Sequence, residues 1–413
     1  MNKIRYGVIG VNGVGEYHIK LISKNSNTQL TAIADSDAGS LKRKSQELNI
    51  KGFTNHKDLI NSNLVDAVSI CTPHNLHAPM TLDFLNAGVH VLVEKPLANR
   101  ISDADIIVKT AKENNLKLCV GHQYRTHRSS QITKNLIDSG KIGKIMRVLW
   151  SWSSFRPEQY YDQKPWHSTW EHSGGGVLMN QVSHDLDLIC WLIGKPIEVS
   201  SIIGNQIHNA EIEDIVCANI IFENGAYGTF QFTINQPEAF SVRQIFGDKG
   251  AIIFNDVKSL TNDMNDEITL CMYDDNIDNL IENNWSPSVI LESAKLSDLK
   301  KKRPHKKLRK RIKSKIENKI KNLLYSPQKL DWINWKTPIG HHALINNFID
   351  SIINDSKPDI DGESAHITVE LINAIILSAM RKKTVKLPIN RDEYDELFDE
   401  LVTSKSVVPR FRN

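Results

Sequence analysis

Long hydrophobic runs are missing from this sequence: nowhere in its 413 residues do 18 apolar residues follow one another, so no segment is long enough to cross a bilayer as a helix. A leader pattern is missing too, because MNKIRYGVIGVNGVG passes directly into a strand and a glycine turn, with no apolar region followed by a small-residue cleavage site. A cytoplasmic protein is expected. Cysteine is scarce. Cys71, Cys119, Cys190, Cys217 and Cys271 are five in number, widely spaced, without a CxxC pair and mostly inside apolar runs, which argues against a disulfide framework or a zinc site and for reduced core thiols. Excess charge of one sign is also absent, the formal net charge being +3, but this balance conceals an asymmetry. Residues 300–321 hold 13 Lys or Arg against one Glu, a local +12, so the remainder carries −9. Only that segment argues for a polyanionic partner.

What is present is an ordinary globular composition, 40% hydrophobic and 24% charged, long enough for two or three cores. Residues 4–10 (IRYGVIG) read as a strand, Gly10-Val11-Asn12-Gly13-Val14-Gly15 as the turn into a helix reaching about Lys24, and residues 30–34 as a second strand. Asp35 ends it, 20 residues beyond Gly15, the offset at which an acid meets the adenosine ribose of a dinucleotide. The turn departs from GxGxxG, since Asn12 stands where a middle glycine lets the backbone approach the pyrophosphate. Asn tolerates positive φ, Gly13 adds freedom, and the helix still presents free N–H groups to a phosphate. Asp35 favours NAD over NADP, with NADP left open by the nearby Lys42, Arg43 and Lys44.

Strand and helix patterns alternate as far as residue 120, which predicts a doubly wound parallel sheet. In such sheets ligands bind outside the carboxyl ends of strands. Three strand ends carry polar groups: Thr72-Pro73-His74 with His77 following, Glu94-Lys95-Pro96 after the run Val91-Leu92-Val93, and Gly121-His122-Gln123-Tyr124-Arg125. Together they are expected to line one crevice. His74 and His77 lack further ligands at a useful spacing, so no metal is expected. From about residue 145 longer alternating strands follow, with hairpin turns at Asn224-Gly225 and Asp248-Lys249-Gly250, predicting a mostly antiparallel open sheet. An uncovered sheet face suits a homodimer or homotetramer.

Between these strands lies a loop rich in aromatics, Tyr160-Tyr161-Asp162-Gln163-Lys164-Pro165-Trp166-His167-Ser168-Thr169-Trp170, readable either as a carbohydrate platform or as loop anchoring. Ser173-Gly174-Gly175-Gly176 then leads into an apolar helix on which Asn180, His184 and Asp187 recur at i, i+4 and i+7. A polar stripe in a buried helix needs partners or a purpose.

Together these motifs resemble the glucose-fructose oxidoreductase / inositol dehydrogenase / MocA family of sugar and cyclitol oxidoreductases. The resemblance rests on the glycine turn, TPHNLH at 72–77, EKPLA at 94–98, GHQYR at 121–125, GGGVLMNQVSHDLD at 174–187, Glu213-Asp214, GDKGAI at 247–252, and NFIDSI with PDIDGESA near the C-terminus. It implies a Rossmann domain over 1–124 and a substrate-binding and oligomerisation domain over 125–413. It further implies NAD held by the glycine turn, Asp35, Thr72, Pro73, His74, His77, Glu94, Lys95 and Gln123. Hydride would pass between nicotinamide C4 and a CH–OH carbon of a sugar, cyclitol or nucleotide sugar.

Lys95 matches the family's active-site lysine and His184 its catalytic histidine. Asn180 falls where relatives often carry Asp, so it cannot relay a proton, and Asp187 is a candidate to orient His184 instead. Tyr124, Arg125, Tyr161, Trp166 and Trp170 are candidates for holding the rest of the substrate, Arg125 being suited to a carboxylate or phosphate. Two other readings stay open, an NAD-dependent glycosidase working by transient oxidation and elimination, and a dinucleotide-sensing regulator without turnover.

The stretch at about 285–336 has no counterpart in the family. Leu308, Ile312, Ile316, Ile320 and Leu324 make residues 299–324 a basic amphipathic helix, followed by Trp332 and Trp335. It reads either as a solvated helix packed on the second domain or as a contact to an anionic membrane. Nucleic acid is not expected, because the rest of the chain is acidic and no reader motif accompanies the run.

Overall fold

The computed structural model describes residues 3–236, 241–254, 268–273, 289–292, 338–405 and 408. Residues 299–324, Trp332 and Trp335 lie outside them. No helix among the described residues is long and apolar enough to cross a membrane.

Six parallel strands, β1 (Ile4–Ile9), β2 (Thr28–Ala34), β3 (Lys51–Phe53), β4 (Ala67–Ile70), β5 (His90–Val93) and β6 (Leu118–Val120), form the first sheet in the order β3-β2-β1-β4-β5-β6. Crossover helices α1 (Val14–Lys24), α2 (Ala38–Leu48), α3 (His56–Asn61), α4 (His77–Asn86) and α5 (Ile101–Glu113) join them. Val91, Leu92 and Val93 are fully buried, which is why β5 reads as an unbroken apolar run: both of its faces are covered. The strand order reverses between β1 and β4, and the crevice opens there.

The turn after β1 is held by close packing. A Cβ at Gly10 would lie 2.4 Å from the Cys71 carbonyl oxygen, and one at Gly15 would lie 1.8 Å from that of Gly10. Positive φ falls on Gly10 (85°) and Gly13 (57°) and not on Asn12. The tolerance of Asn for that region is therefore not called upon. Asn12 is exposed, and its carbonyl accepts the Gly15 N–H at 3.1 Å.

The second sheet has nine strands: β7 (Ile145–Ser153), β8 (Pro196–Gly204), β9 (Ile215–Phe222), β10 (Tyr227–Thr233), β11 (Ser241–Gly247), β12 (Gly250–Phe254), β13 (Ile268–Tyr273), β14 (Val289–Glu292) and β15 (Val385–Lys386). Their order is β14-β13-β12-β11-β7-β10-β9-β8-β15, antiparallel except where β7 meets β10. After β6 the chain forms α6 (Arg128–Asp138), and later α7 (Ser183–Ile193), α8 (His341–Ile353), α9 (Gly362–Arg381) and α10 (Arg391–Ser404). Val148, Trp150, Val216, Ile220, Phe230 and Phe232 point inward, sharing a core with Leu186 and Ile189 of α7 and Leu371 and Ile375 of α9. Alternate residues point out, among them Ile202 and Tyr227.

The first sheet ends with β6 at Val120 and the second begins with β7 at Ile145, but the chain crosses back. Leu344, Ile345, Phe348 and Ile349 of α8 join Tyr6, Val8, Ile19 and Ile22 in one buried cluster on the first sheet. The Val120 N–H then donates to the Ile360 carbonyl at 3.0 Å, beside the β6 edge.

Because the Gly15 position has no room, Gly15→Ala is expected to displace the turn, weaken dinucleotide binding at least roughly tenfold and cost about 1–3 kcal/mol of stability. Gly13→Ala meets nothing within 4 Å and carries only the strain of its φ 57°, ψ −118° backbone, about 1–3 kcal/mol, with the turn left in place. NADH fluorescence titration and thermal melts of both variants check the contrast.

Candidate active site

Side chains alternate along a strand, so the two charges that end β5 diverge. Lys95 enters the crevice, where its Nζ donates to the Asn180 carbonyl at 2.5 Å. Burial pulls the ammonium down to about 8, against the pull of Glu94 in the other direction. His77 braces this corner, its ring spanning the Pro96 carbonyl (2.7 Å) and the Thr72 carbonyl (2.8 Å) and so tying the ends of β4 and β5 together. His74 lies 2.9 Å through Nδ1 from the Ser173 carbonyl and meets the Trp166 ring edge-on at 4.9 Å. Both histidines thus face backbone carbonyls and reach the second domain or the neighbouring loop.

The segment carrying the polar stripe is not one continuous α-helix. Val177–Gln181 forms a π-turn, closed by the Val182 N–H on the Val177 carbonyl at 2.9 Å, and α7 begins only at Ser183. Buried Glu213 builds this start. Its carboxylate accepts from the Gly176 N–H at 2.8 Å and the Leu178 N–H at 3.0 Å, while its carbonyl accepts the Val177 N–H at 3.0 Å. Gly176 is obligatory here, since a Cβ would sit 1.9 Å from the Glu213 carbonyl oxygen. Burial pushes the Glu213 carboxyl up to about 7 in spite of those N–H groups.

His184 projects from the first turn of α7 and stacks on Tyr124, with ring centres 4.4 Å apart and 21° between planes. His122 approaches its edge at 5.8 Å. Burial first, then Lys95, holds His184 well below the usual imidazole range, so it is neutral at ordinary pH. Asn180 turns its amide to Tyr160, donating through Nδ2 to the hydroxyl at 2.9 Å, and Gln181 donates to the same oxygen at 3.2 Å.

Several expected contacts fall elsewhere. Asp187 does not orient His184: it accepts from Arg125 Nε (2.7 Å) and Nη2 (2.5 Å) and from Thr368 Oγ1 (3.2 Å). The π-turn takes Asn180 out of the helical register, whereas His184 and Asp187 share the regular turn of α7 and it is the Arg125 guanidinium that engages the Asp187 carboxylate. Arg125, 4% exposed, is consequently engaged by Asp187 and is not turned to a substrate anion. Tyr161 (4% exposed) and Trp170 (0%) anchor the loop in the core, so of the aromatic candidates only Tyr124 and Trp166 are partly open. Tyr160 was missed because adjacent tyrosines in an irregular loop carry no periodicity to tell the inward ring from the one facing the site.

The dinucleotide cradle fits its ligand. Asp35 stands at the end of β2, its carboxylate accepting from the Val11 N–H and the Asp37 N–H, both at 2.9 Å. Lys44 is taken up by Glu16 and Glu47, each at 2.9 Å, and Arg43 by the Ser40 hydroxyl at 3.0 Å. Thr72 Oγ1 and Gln123 Oε1 are buried at the strand ends with no protein partner among the described residues, as groups that await a ligand would be. Glu94, expected at the cofactor, instead faces His18 and His341. Its Oε1 lies 3.0 and 3.1 Å from their Nε2 atoms.

Removing the anion from a buried pair leaves its partner's charge uncompensated, so Asp187→Ala is expected to cost about 3–5 kcal/mol. Calorimetry should show that loss.

The comparisons follow this architecture. Residues 4–122 match the oxidoreductase family model with an NAD-binding Rossmann fold, and residues 131–253 match the Gfo/Idh/MocA C-terminal domain. Myo-inositol 2-dehydrogenase of Thermotoga maritima is 26% identical over 273 residues, covering 64% of this chain and 79% of that protein. The 2,7-anhydro-N-acetylneuraminate hydratase of Escherichia coli is 28% identical over 256 residues, covering 60% and 67%. The crystal structure of the WlbA dehydrogenase from Bordetella pertussis with NADH and UDP-GlcNAcA superposes with a TM-score of 0.74 at 26% identity, over 94% of this chain and 99% of that one. With both domain models matched, over residues 4–122 and 131–253, the chain belongs to the Gfo/Idh/MocA family of NAD-binding oxidoreductases.

Proposed function

We propose that this protein transfers hydride between NAD(H) and a CH–OH group of a sugar substrate, with a nucleotide sugar the class favoured. The observation that carries the reading is the convergence of Lys95 from the first domain and His184 from the second, linked by the Lys95 contact to the Asn180 carbonyl. NAD, when bound, supplies the hydride acceptor or donor. In the oxidative direction the neutral His184 takes the proton of the reacting hydroxyl, and the Lys95 ammonium hydrogen-bonds the same oxygen to stabilise its developing negative charge. In reduction His184 returns the proton.

Tyr124 stacked on His184, the Asn180 Oδ1 left over from the Tyr160 contact, and the Trp166 ring are suited to the remaining hydroxyls and apolar sugar face. The preference for a nucleotide sugar is supported by the WlbA likeness and by cations above the site: Arg156 stands 5.7 Å from the Tyr160 ring centre, and Lys164 lies in the same loop. The hydratase likeness keeps a redox-neutral variant of the chemistry as the second reading.

A panel of free sugars, cyclitols and nucleotide sugars, followed at the NADH absorbance band, tests this. Net NADH formation, fastest with a nucleotide sugar, is expected; product release without NADH change favours the second reading. Lys95→Ala is expected to lower turnover roughly a thousandfold while leaving NADH affinity within roughly tenfold. Since Lys95 titrates at about 8, wild-type kcat should fall as pH rises through that value, and Lys95→Arg, whose charge persists, should remove that limb.

A homo-oligomer through the open sheet is also part of the proposal, supported by outward Ile202 (69% exposed) and Tyr227 (63%). Light scattering is expected to return a multiple of the 46.8 kDa chain mass, and a monomer mass at micromolar concentration would remove this part.

A further inference from the structure

Glu94 follows β5 directly and turns to a cluster formed by two histidines. It is 7% exposed and is approached from three elements. His18 of α1 reaches Oε1 with Nε2 at 3.0 Å, and its Nδ1 lies 3.0 Å from the Ser69 hydroxyl, itself 3.0 Å from the Tyr6 hydroxyl. His341, the first residue of α8, reaches the same Oε1 at 3.1 Å, and its ring lies edge-on to His18 at 5.4 Å and to Tyr17 at 5.7 Å. The third wall is Gly121 after β6, where a Cβ would sit 2.6 Å from Glu94 Oε2. Only glycine admits the carboxylate in this place. A buried acid so arranged has a fixed position and two N–H donors for its charged form.

The next residue along the chain is Lys95. Across the crevice it faces the imidazoles of His74, His77, His122, His167 and His184, none of which offers it a negative charge. The thiols of Cys71 and Cys119 lie on the Glu94 side and are held protonated by burial. The carboxylate that acts on the Lys95 ammonium is therefore that of Glu94.

We propose that His18 and His341 are positioning residues for the catalytic lysine, acting through Glu94: by fixing its carboxylate in the charged form they keep Lys95 an ammonium in a site that would otherwise discharge it. The device rests on the reading of Lys95 as the catalytic cation. It also joins three parts of the chain far apart in sequence, since α1 opens with the dinucleotide turn and α8 returns from the second domain.

Two readouts separate the clamp from that reading. The rate at which an amine-directed reagent modifies Lys95, followed by mass spectrometry against pH, reports its protonation with no need for turnover. The alkaline limb of kcat reports the same proton in catalysis. In His341→Leu, which removes a donor at a half-buried position, the Lys95 labelling midpoint is expected to fall by roughly one pH unit, while His341→Gln, which keeps a donor, stays near wild type. His341→Met at similar volume serves if the Leu variant does not fold.

A labelling midpoint unchanged in a folded, NADH-binding Leu or Met variant overturns the clamp. A midpoint that moves while the kcat limb does not supports the clamp and removes Lys95 from the chemistry. Stoichiometric zinc in the purified enzyme, with a midpoint that moves only on chelation, also overturns the clamp.

Discussion

A lysine ammonium held at the mouth of a buried crevice is the constraint on which this structure turns. Desolvation alone would discharge it, as burial of a cation without partners always tends to do. Two groups oppose that outcome: the Asn180 carbonyl, which accepts its hydrogen bond, and Glu94, which supplies the compensating charge from behind the strand. The result is an amine balanced near 8, able to serve as a charged hydrogen-bond donor at neutral pH and close to losing its proton just above it.

This balance makes the two domains one functional unit. Lys95 belongs to the first sheet and Asn180 to the segment leading into α7, so the contact between them fixes the spacing of the lysine from His184, one turn further on. The start of that segment is itself constrained by Glu213 and the Gly176 turn, whose packing leaves no space for a side chain. The return of α8 to the first sheet then brings His341 to Glu94. A displacement of the second domain would be felt at both ends of the Glu94-Lys95 dipeptide.

Much of this was legible in the residues. The parallel sheet followed from apolar strand runs alternating with amphipathic helices, and the crevice followed from polar residues at three strand ends. The glycine turn ahead of a helix and Asp35 at the end of β2 lie where their spacing put them, and Lys95 and His184, singled out by their motifs, come to the same crevice. What could not be read was the direction of side chains wherever the backbone leaves a regular period. The π-turn at Val177–Gln181 took Asn180 out of register with α7, and the loop around Tyr160 gave no periodicity from which to prefer it over Tyr161; Asp187 turned to Arg125 because the buried guanidinium reaches it from a distant part of the chain. The Glu94 cluster was invisible for another reason: His18, Glu94 and His341 are separated by more than 300 residues of chain from first to last, and only the folded topology brings them together.

Asn180 finds a physical reason in the same balance. An aspartate in its place would add a second negative charge beside both Lys95 and His184. That charge would raise the proton affinity of each. The imidazole would then be less available as a neutral base, and the lysine would hold its proton further into alkaline pH. It would also reverse the contact with Tyr160, because a carboxylate accepts where the Asn180 amide now donates. With a neutral amide, the electrostatics of the crevice are left to the carboxylate behind β5. The site therefore separates two tasks: Glu94 supplies the charge that acts on the lysine, and Asn180 shapes the pocket without adding charge.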